Sequence, residues 1–210
     1  MNIKVSGITT IKQLNQLDGL NVEYAGLVFY EQSTRNASGI IPDLAKTDLD
    51  IKKVGIFMNE DYDAIMRICE KAKLDMVQLH GDESPFLCEK ISNEVEVIKT
   101  FRIDDQSDKS IDYMLMEYDE VCDYYLFDAL NNHFSSNSEE SFNWEKLLEQ
   151  KIEKPFFIGG GINPGDAAKL KKFRHPDFFG ADLMSLFEKE PGVTDMSLIL
   201  KFLQGLKQAA

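Results

Sequence analysis

The chain has 210 residues, enough for one domain burying roughly 70% of the surface its unfolded chain exposes. Lysine and arginine total 23 against 36 acidic residues, a formal net charge of −13. Such an acidic balance argues against nucleic acid or an anionic membrane as partner, and leaves room for a local basic spot that holds one small anion.

Strand and helix patterns alternate from end to end. Strands are predicted over 3–5, 24–30, 53–58, 76–79, 95–100, 124–128, 155–158 and 177–182. Helical spacing over 59–72 rests on Ile65, Ile68, Cys69 and Ala72. Ser84-Pro85 ahead of Phe86, Leu87 and Glu89 reads as an N-cap with proline at the first helical position. Trp144 is expected to anchor a sixth helix, and Asp195 to cap a last helix carrying Ile199, Leu200, Leu203 and Leu206. Eight strand–helix units of ~25 residues each predict a single-domain (β/α)8 TIM barrel of the α/β class, spanning 1–210. The competitor is an open doubly wound sheet, but no dinucleotide fingerprint follows the first strand. The polar, glycine-free run LNNHFSSNSEES over 130–141 reads as a long functional or mobile loop.

The three cysteines, Cys69, Cys88 and Cys122, lack metal-ligand spacing, so no metal is expected. Cys69 and Cys88 fall in helical patterns and read as buried, reduced thiols. The start, MNIKVSGITT, has no long apolar run, and no segment approaches the ~18 consecutive apolar residues of a membrane span. A cytoplasmic protein is the expectation.

In such a barrel, only groups just past the carboxyl ends of the strands share one site. That filter leaves Ser6, Arg35, Asn59, His80 with Asp82, Arg102, Asp128, the glycines of PFFIGGGINP, and Asp182 with Ser185. Gly160 and Gly161 sit at a strand-to-helix corner where backbone N–H groups can approach a phosphate and the helix presents its positive end. Asp128 closes the apolar run Tyr124-Tyr125-Leu126-Phe127. Partial burial there would raise its pKa and suit a general acid; a loop or N-cap carboxylate is the plainer reading. Arg35 is either a fork for a substrate carboxylate or a solvated loop arginine. His80 is equally a catalytic group or a histidine bonded to a strand-end backbone. His133 and His175 read as exposed.

KVSGIT, VGIFMNE, VQLHGDESP, VIKTFR, YLFDA, FNW, GGGINP and EPGVTD occur in this order. Together they resemble the phosphoribosylanthranilate isomerases of tryptophan biosynthesis, through nearly the whole chain. The resemblance implies a (β/α)8 barrel that performs an Amadori rearrangement of N-(5-phosphoribosyl)anthranilate without a cofactor, as a monomer or a homodimer. By motif, Asp128 matches the family's general acid, Arg35 the residue for the anthranilate carboxylate, and Asp182 an aspartate near the anthranilate. Gly160, Gly161 and the backbone around Ser185 match the phosphate grip. The family's general base is a cysteine, in CGIT; Ser6 stands there in this chain. An aliphatic hydroxyl does not ionise near neutrality as a thiol can, and loss of a general base typically costs roughly 10²- to 10⁴-fold. His80 and Asp182 are then the strand-end candidates for the base. The family's glycine-rich loop after strand six is also missing. Its SSG corner after strand eight reads Met184-Ser185-Leu186, where leucine tolerates positive φ poorly. The competing expectation is a barrel of the same family that binds the phosphorylated ligand with its catalysis impaired.

Overall fold

Each strand of this chain carries two alternating sets of side chains, and the two sets have different destinations. The structure, a computed structural model, describes residues 1–103, 111–129 and 144–208. Its eight parallel strands are β1 (Asn2–Ser6), β2 (Tyr24–Val28), β3 (Lys52–Phe57), β4 (Met76–Leu79), β5 (Glu96–Ile103), β6 (Tyr124–Ala129), β7 (Phe156–Gly159) and β8 (Phe178–Leu183). They pair in sequence order, and β1 pairs with β8, so the sheet closes and the open doubly wound alternative is excluded. Every predicted strand has its counterpart. The largest difference is β5, which runs on to Ile103 instead of stopping at 100.

One set points outward. Ile3, Val5, Leu27, Phe57, Val77, Leu79, Val97 and Phe127 pack with Leu14, Leu17, Ile65 and Ile91 of the helices in one buried cluster. The other set fills the barrel. Tyr24, Val54, Met76, Ile98, Leu126 and Phe157 form a separate buried group, with Tyr24 edge-on to Phe157 at 5.6 Å. Each such side chain taken fully out of water contributes about 1.5–3 kcal/mol. This apolar plug also gives the site above it a dry floor.

The helices are α1 (Ile11–Asp18), α2 (Ile41–Leu44), α3 (Tyr62–Ala72), α4 (Pro85–Ser92), α5 (Ile111–Leu115), α6 (Ala167–Lys172) and α7 (Met196–Gln208). Helix α1 starts with a reciprocal capping box, Thr10 with Gln13. Helix α3 starts at Tyr62 rather than at 59, because Asn59 is left-handed (φ 55°) and Asp61 caps the helix by accepting from the Ala64 N–H at 2.8 Å. Ser84 and Pro85 open α4 as expected, and Asp195 accepts from the Ser197 N–H at the start of α7. On α7 the buried face is Ile199 and Phe202; Leu200 points to solvent.

Trp144 is buried, but it opens a 3-10 turn (Trp144–Glu149) in place of the expected α-helix. His175 is not exposed: its ring packs edge-on against Phe156 at 5.0 Å. All three cysteines are free and buried, and burial pushes their thiols up, to about 11 for Cys69 and Cys88 and about 12 for Cys122. The run 130–141, with His133, lies outside the described residues. Among those described, no helix is long and apolar enough to cross a membrane.

Candidate active site

Above the apolar plug, the next inward-facing layer is polar. On β1, Lys4 and Ser6 alternate inward with Ile3 and Val5 outward, and Lys4 lies in register with Asp182 of β8. Lys4 Nζ donates to Ser6 Oγ at 2.6 Å and to Asp182 Oδ2 at 2.8 Å, and Ser6 Oγ donates to Asp182 Oδ1 at 2.7 Å. Lys4 is wholly buried and Ser6 is 1% exposed. Burial pulls the Lys4 ammonium below its usual range, and the Asp182 carboxylate opposes that pull. Gly26, in register with Ser6 on β2, makes the space: a Cβ there would fall on the Ser6 hydroxyl.

Asp128 and His80 stand on a second wall of the same layer. His80 Nε2 lies 3.5 Å from Asp128 Oδ2. Burial raises the Asp128 pKa to about 6, the Asp182 charge adds to the rise, and Arg102 and Lys4 oppose it. Burial lowers His80 to about 4, helped by Arg102 and Lys4, so the imidazole is neutral at physiological pH. The Gln78 amide nitrogen lies 3.2 Å from His80 Nδ1 and donates to Thr100 Oγ1 at 3.1 Å. That arrangement makes Nδ1 the acceptor and assigns the ring proton to Nε2, on the Asp128 side.

Ser6, Gln78, His80, Asp128 and Asp182 line one cavity of about 420 Å³, together with Arg35, Gly160, Gly161 and Ser185, with Lys4 buried beneath them. Arg35 reaches it from the loop after β2, and its fork is already engaged. Nε donates to Glu188 Oε1 at 2.8 Å and Nη2 to Oε2 at 2.6 Å. Glu188 begins the hairpin of β9 (Glu188–Glu190) and β10 (Val193–Thr194), and also accepts from the Gly192 N–H. Arg35 is therefore not the solvated loop residue of the plainer reading.

Gly160 (φ 71°) and Gly161 (φ 66°) hold left-handed backbone that a side chain would resist, and so bring bare peptide to the cavity. The helix end expected beside them is further along. Residues 163–166 form a turn, with Asp166 accepting from the Asn163 N–H at 2.7 Å, and α6 starts only at Ala167. At the other corner, Ser185–Phe187 form a 3-10 turn, and Leu186 is not among the residues with positive φ.

Three strand-end groups singled out in the sequence, Asn59, Asp82 and Arg102, do not line the cavity. Asn59 accepts from the Asp82 N–H and its own N–H donates to Glu83, so it braces the loop after β4. Arg102 is exposed and donates to the His80 carbonyl at 3.4 Å. Lys4, Gln78 and Glu188 went unnoticed in the sequence. Lys4 and Gln78 each precede a recognised residue by two positions on a strand. They share its face, and that period was the available signal.

A closed parallel barrel with a carboxyl pair, a neutral histidine and a glycine corner at one rim is of the (β/α)8 enzyme class. The family model described as "PRAI: N-(5'phosphoribosyl)anthranilate (PRA) isomerase" matches residues 3–205. The N-(5'-phosphoribosyl)anthranilate isomerase of Parabacteroides distasonis is 35% identical over 100% of this chain and 95% of its own. The phosphoribosyl anthranilate isomerase of Thermotoga maritima superposes with a TM-score of 0.86 at 26% identity, covering 99% of this chain and 98% of that one. A complex of such an isomerase with reduced 1-(o-carboxyphenylamino)-1-deoxyribulose 5-phosphate gives 0.83 at 26% identity, with 99% and 98% covered. Mutually generated monomers of the dimeric Thermotoga maritima isomerase give 0.78 at 25% identity over 99% of both chains. The chain belongs to the phosphoribosylanthranilate isomerase family.

Proposed function

We infer that the protein converts N-(5-phosphoribosyl)anthranilate to 1-(2-carboxyphenylamino)-1-deoxyribulose 5-phosphate, an aldose–ketose isomerisation of tryptophan biosynthesis. The observation that carries the reading is the one rim cavity lined by Asp128, Ser6, Asp182, Arg35, Gly160, Gly161 and Ser185, in a chain that matches the family almost end to end. Its volume of about 420 Å³ suits one small ligand.

The chemistry begins at Asp128. Burial keeps a share of its carboxyl protonated near neutrality, so it can hand a proton to the furanose ring oxygen and open the ring to a Schiff base. The neutral His80, with its ring proton on Nε2, then faces the carboxylate left behind. The C2 proton leaves toward the opposite wall, that of Ser6 and Asp182, and the enolamine tautomerises to the ketone. Arg35 takes the anthranilate carboxylate by sharing its guanidinium with Glu188. Backbone at Gly160, Gly161 and Ser185 holds the phosphate. The substrate is a phosphorylated small molecule, and the reaction needs no cofactor. Free buried thiols suit a reducing cytoplasm, with the protein as monomer or homodimer.

Ser6 in place of the family's cysteine favours a second reading, a barrel that binds this ligand and turns it over poorly. One assay separates the two. Anthranilate, phosphoribosyl pyrophosphate and the upstream transferase generate substrate in place, and loss of anthranilate-type fluorescence reports turnover. Conversion that is abolished in Asp128→Asn supports the isomerase. Ligand binding without conversion supports the second reading, and the absence of both removes the family substrate.

A further inference from the structure

Ser6 presents a problem of proton accounting, and its surroundings answer it. A lysine ammonium only donates and a carboxylate only accepts, so the Ser6 hydroxyl must accept from Lys4 and donate to Asp182. That leaves one Oγ lone pair, on a residue that lines the cavity. We propose that the C2 proton is taken by a two-part acceptor, in which Ser6 Oγ receives it while passing its own proton to Asp182 Oδ1, with Lys4 as the positioning residue for both. The proposal rests on the isomerase reading and names how this chain's own residues complete it.

The balance closes. The C2–H bond breaks and its electron pair becomes the C1=C2 bond of the enolamine. The iminium π pair moves onto the anthranilate nitrogen. Ser6 gains one proton and loses one, ending as it began. Asp182 becomes a neutral acid and regains its charge by releasing the proton to solvent through its partly exposed carboxyl. C1 takes a proton and the C2 hydroxyl gives one up as the enolamine becomes the ketone, so the net count is unchanged. Thus the hydroxyl never has to exist as an alkoxide, the species that makes a lone serine a poor base near neutrality.

The two carboxyls also alternate. Asp128, whose proton affinity the Asp182 charge helps to raise, gives up its proton at ring opening and becomes a second negative charge facing Asp182. The proton then arriving at Asp182 relieves that repulsion. Lys4 spans the hydroxyl and the far carboxylate oxygen, and so holds Oδ1 on the hydroxyl. Gly26 keeps the space open, since a Cβ there would displace the Ser6 hydroxyl.

The test is a double-mutant cycle under single-turnover conditions, with Asp182→Asn introduced beside Ser6 and beside Ser6→Cys. A thiolate can hold the C2 proton unaided. With Ser6, Asp182→Asn should lower the rate roughly 10²- to 10⁴-fold, as for removal of a general base. Beside Ser6→Cys the same change should cost at least tenfold less. Equal losses in both backgrounds would show that Asp182 serves binding or folding alone and would overturn the relay.

A measurement on the unaltered chain covers the case in which Asp182→Asn fails to fold. The C2 step should carry a solvent deuterium effect that multiplies the effect of C2 deuteration, and this solvent effect should vanish in Ser6→Cys. A C2 step without it contradicts the relay. Turnover that needs Ser6→Cys also overturns the relay but leaves the family reading intact, whereas inactivity of both forms strikes the isomerase reading itself.

Discussion

Burial moves Asp128 and His80 in opposite chemical directions although they stand 3.5 Å apart. A neutral carboxyl and a neutral imidazole coexist between about 4 and about 6, where a fully charged pair would otherwise form. With Asp128 as the proposed general acid, active only when protonated, kcat/KM should be high below about 6 and fall as pH rises through it, tending to tenfold per unit. His80 has lost its charge well below that limb and should not contribute to it. A pH profile of the free enzyme measures this directly, and Asp182→Asn should move the limb downward by removing a like charge. At the same scale, Gly26→Ala should strike the site harder than the fold. Its Cβ meets Ser6 and Ile56, so kcat should drop by an order of magnitude or more, while overpacking costs stability about 1–3 kcal/mol by urea titration.

Among the elements, the loop between β4 and α4 is held by a buried ion pair. Glu83 Oε2 accepts from Lys99 Nζ at 2.8 Å, and its other oxygen accepts from the N–H groups of Asn59 and Gly81. Burial opposes the Glu83 charge, yet Lys99 and these donors outweigh it and hold the carboxyl below its usual range. The sign follows. A depressed folded pKa gives stability that is present above the unfolded value of 4.5 and disappears as pH falls through the folded one. Lys99→Met should cost about 3–5 kcal/mol at pH 7 by stranding Glu83, and the double change with Glu83→Gln should recover part of it. Denaturant titrations at pH 7 and pH 4 test both, the single variant losing much of its acid sensitivity.

This element scale is also where the sequence was most and least legible. Alternation placed the strands, and Ser84-Pro85 placed the start of α4, because both signals are local. Asp128 and Asp182 could be recognised because each stands at a strand end. Lys4 and Gln78 were passed over because a polar residue within a strand has no local sign of the layer it joins. Glu188 could not be paired with Arg35 from the chain alone, since 153 positions separate them. His175 looked solvated because its contact, Phe156, comes from another strand. The short α6 and the 3-10 turn at Trp144 show tertiary packing overruling helical spacing, a property of the whole barrel.

At the scale of the molecule, the clasp between Arg35 and Glu188 ties the second βα loop to the β9–β10 hairpin, which leads directly into α7. The proposed seat of the anthranilate carboxylate at Arg35 is thereby fastened to the C-terminal helix of the chain. Glu188→Gln should weaken the grip on Arg35, raising KM several-fold and changing kcat little, which steady-state titration with substrate would reveal. The wider consequence is for engineering. A domain fused after α7 would load the hairpin that holds the Arg35–Glu188 clasp, so its first effect should fall on the mouth of the barrel rather than on the strands.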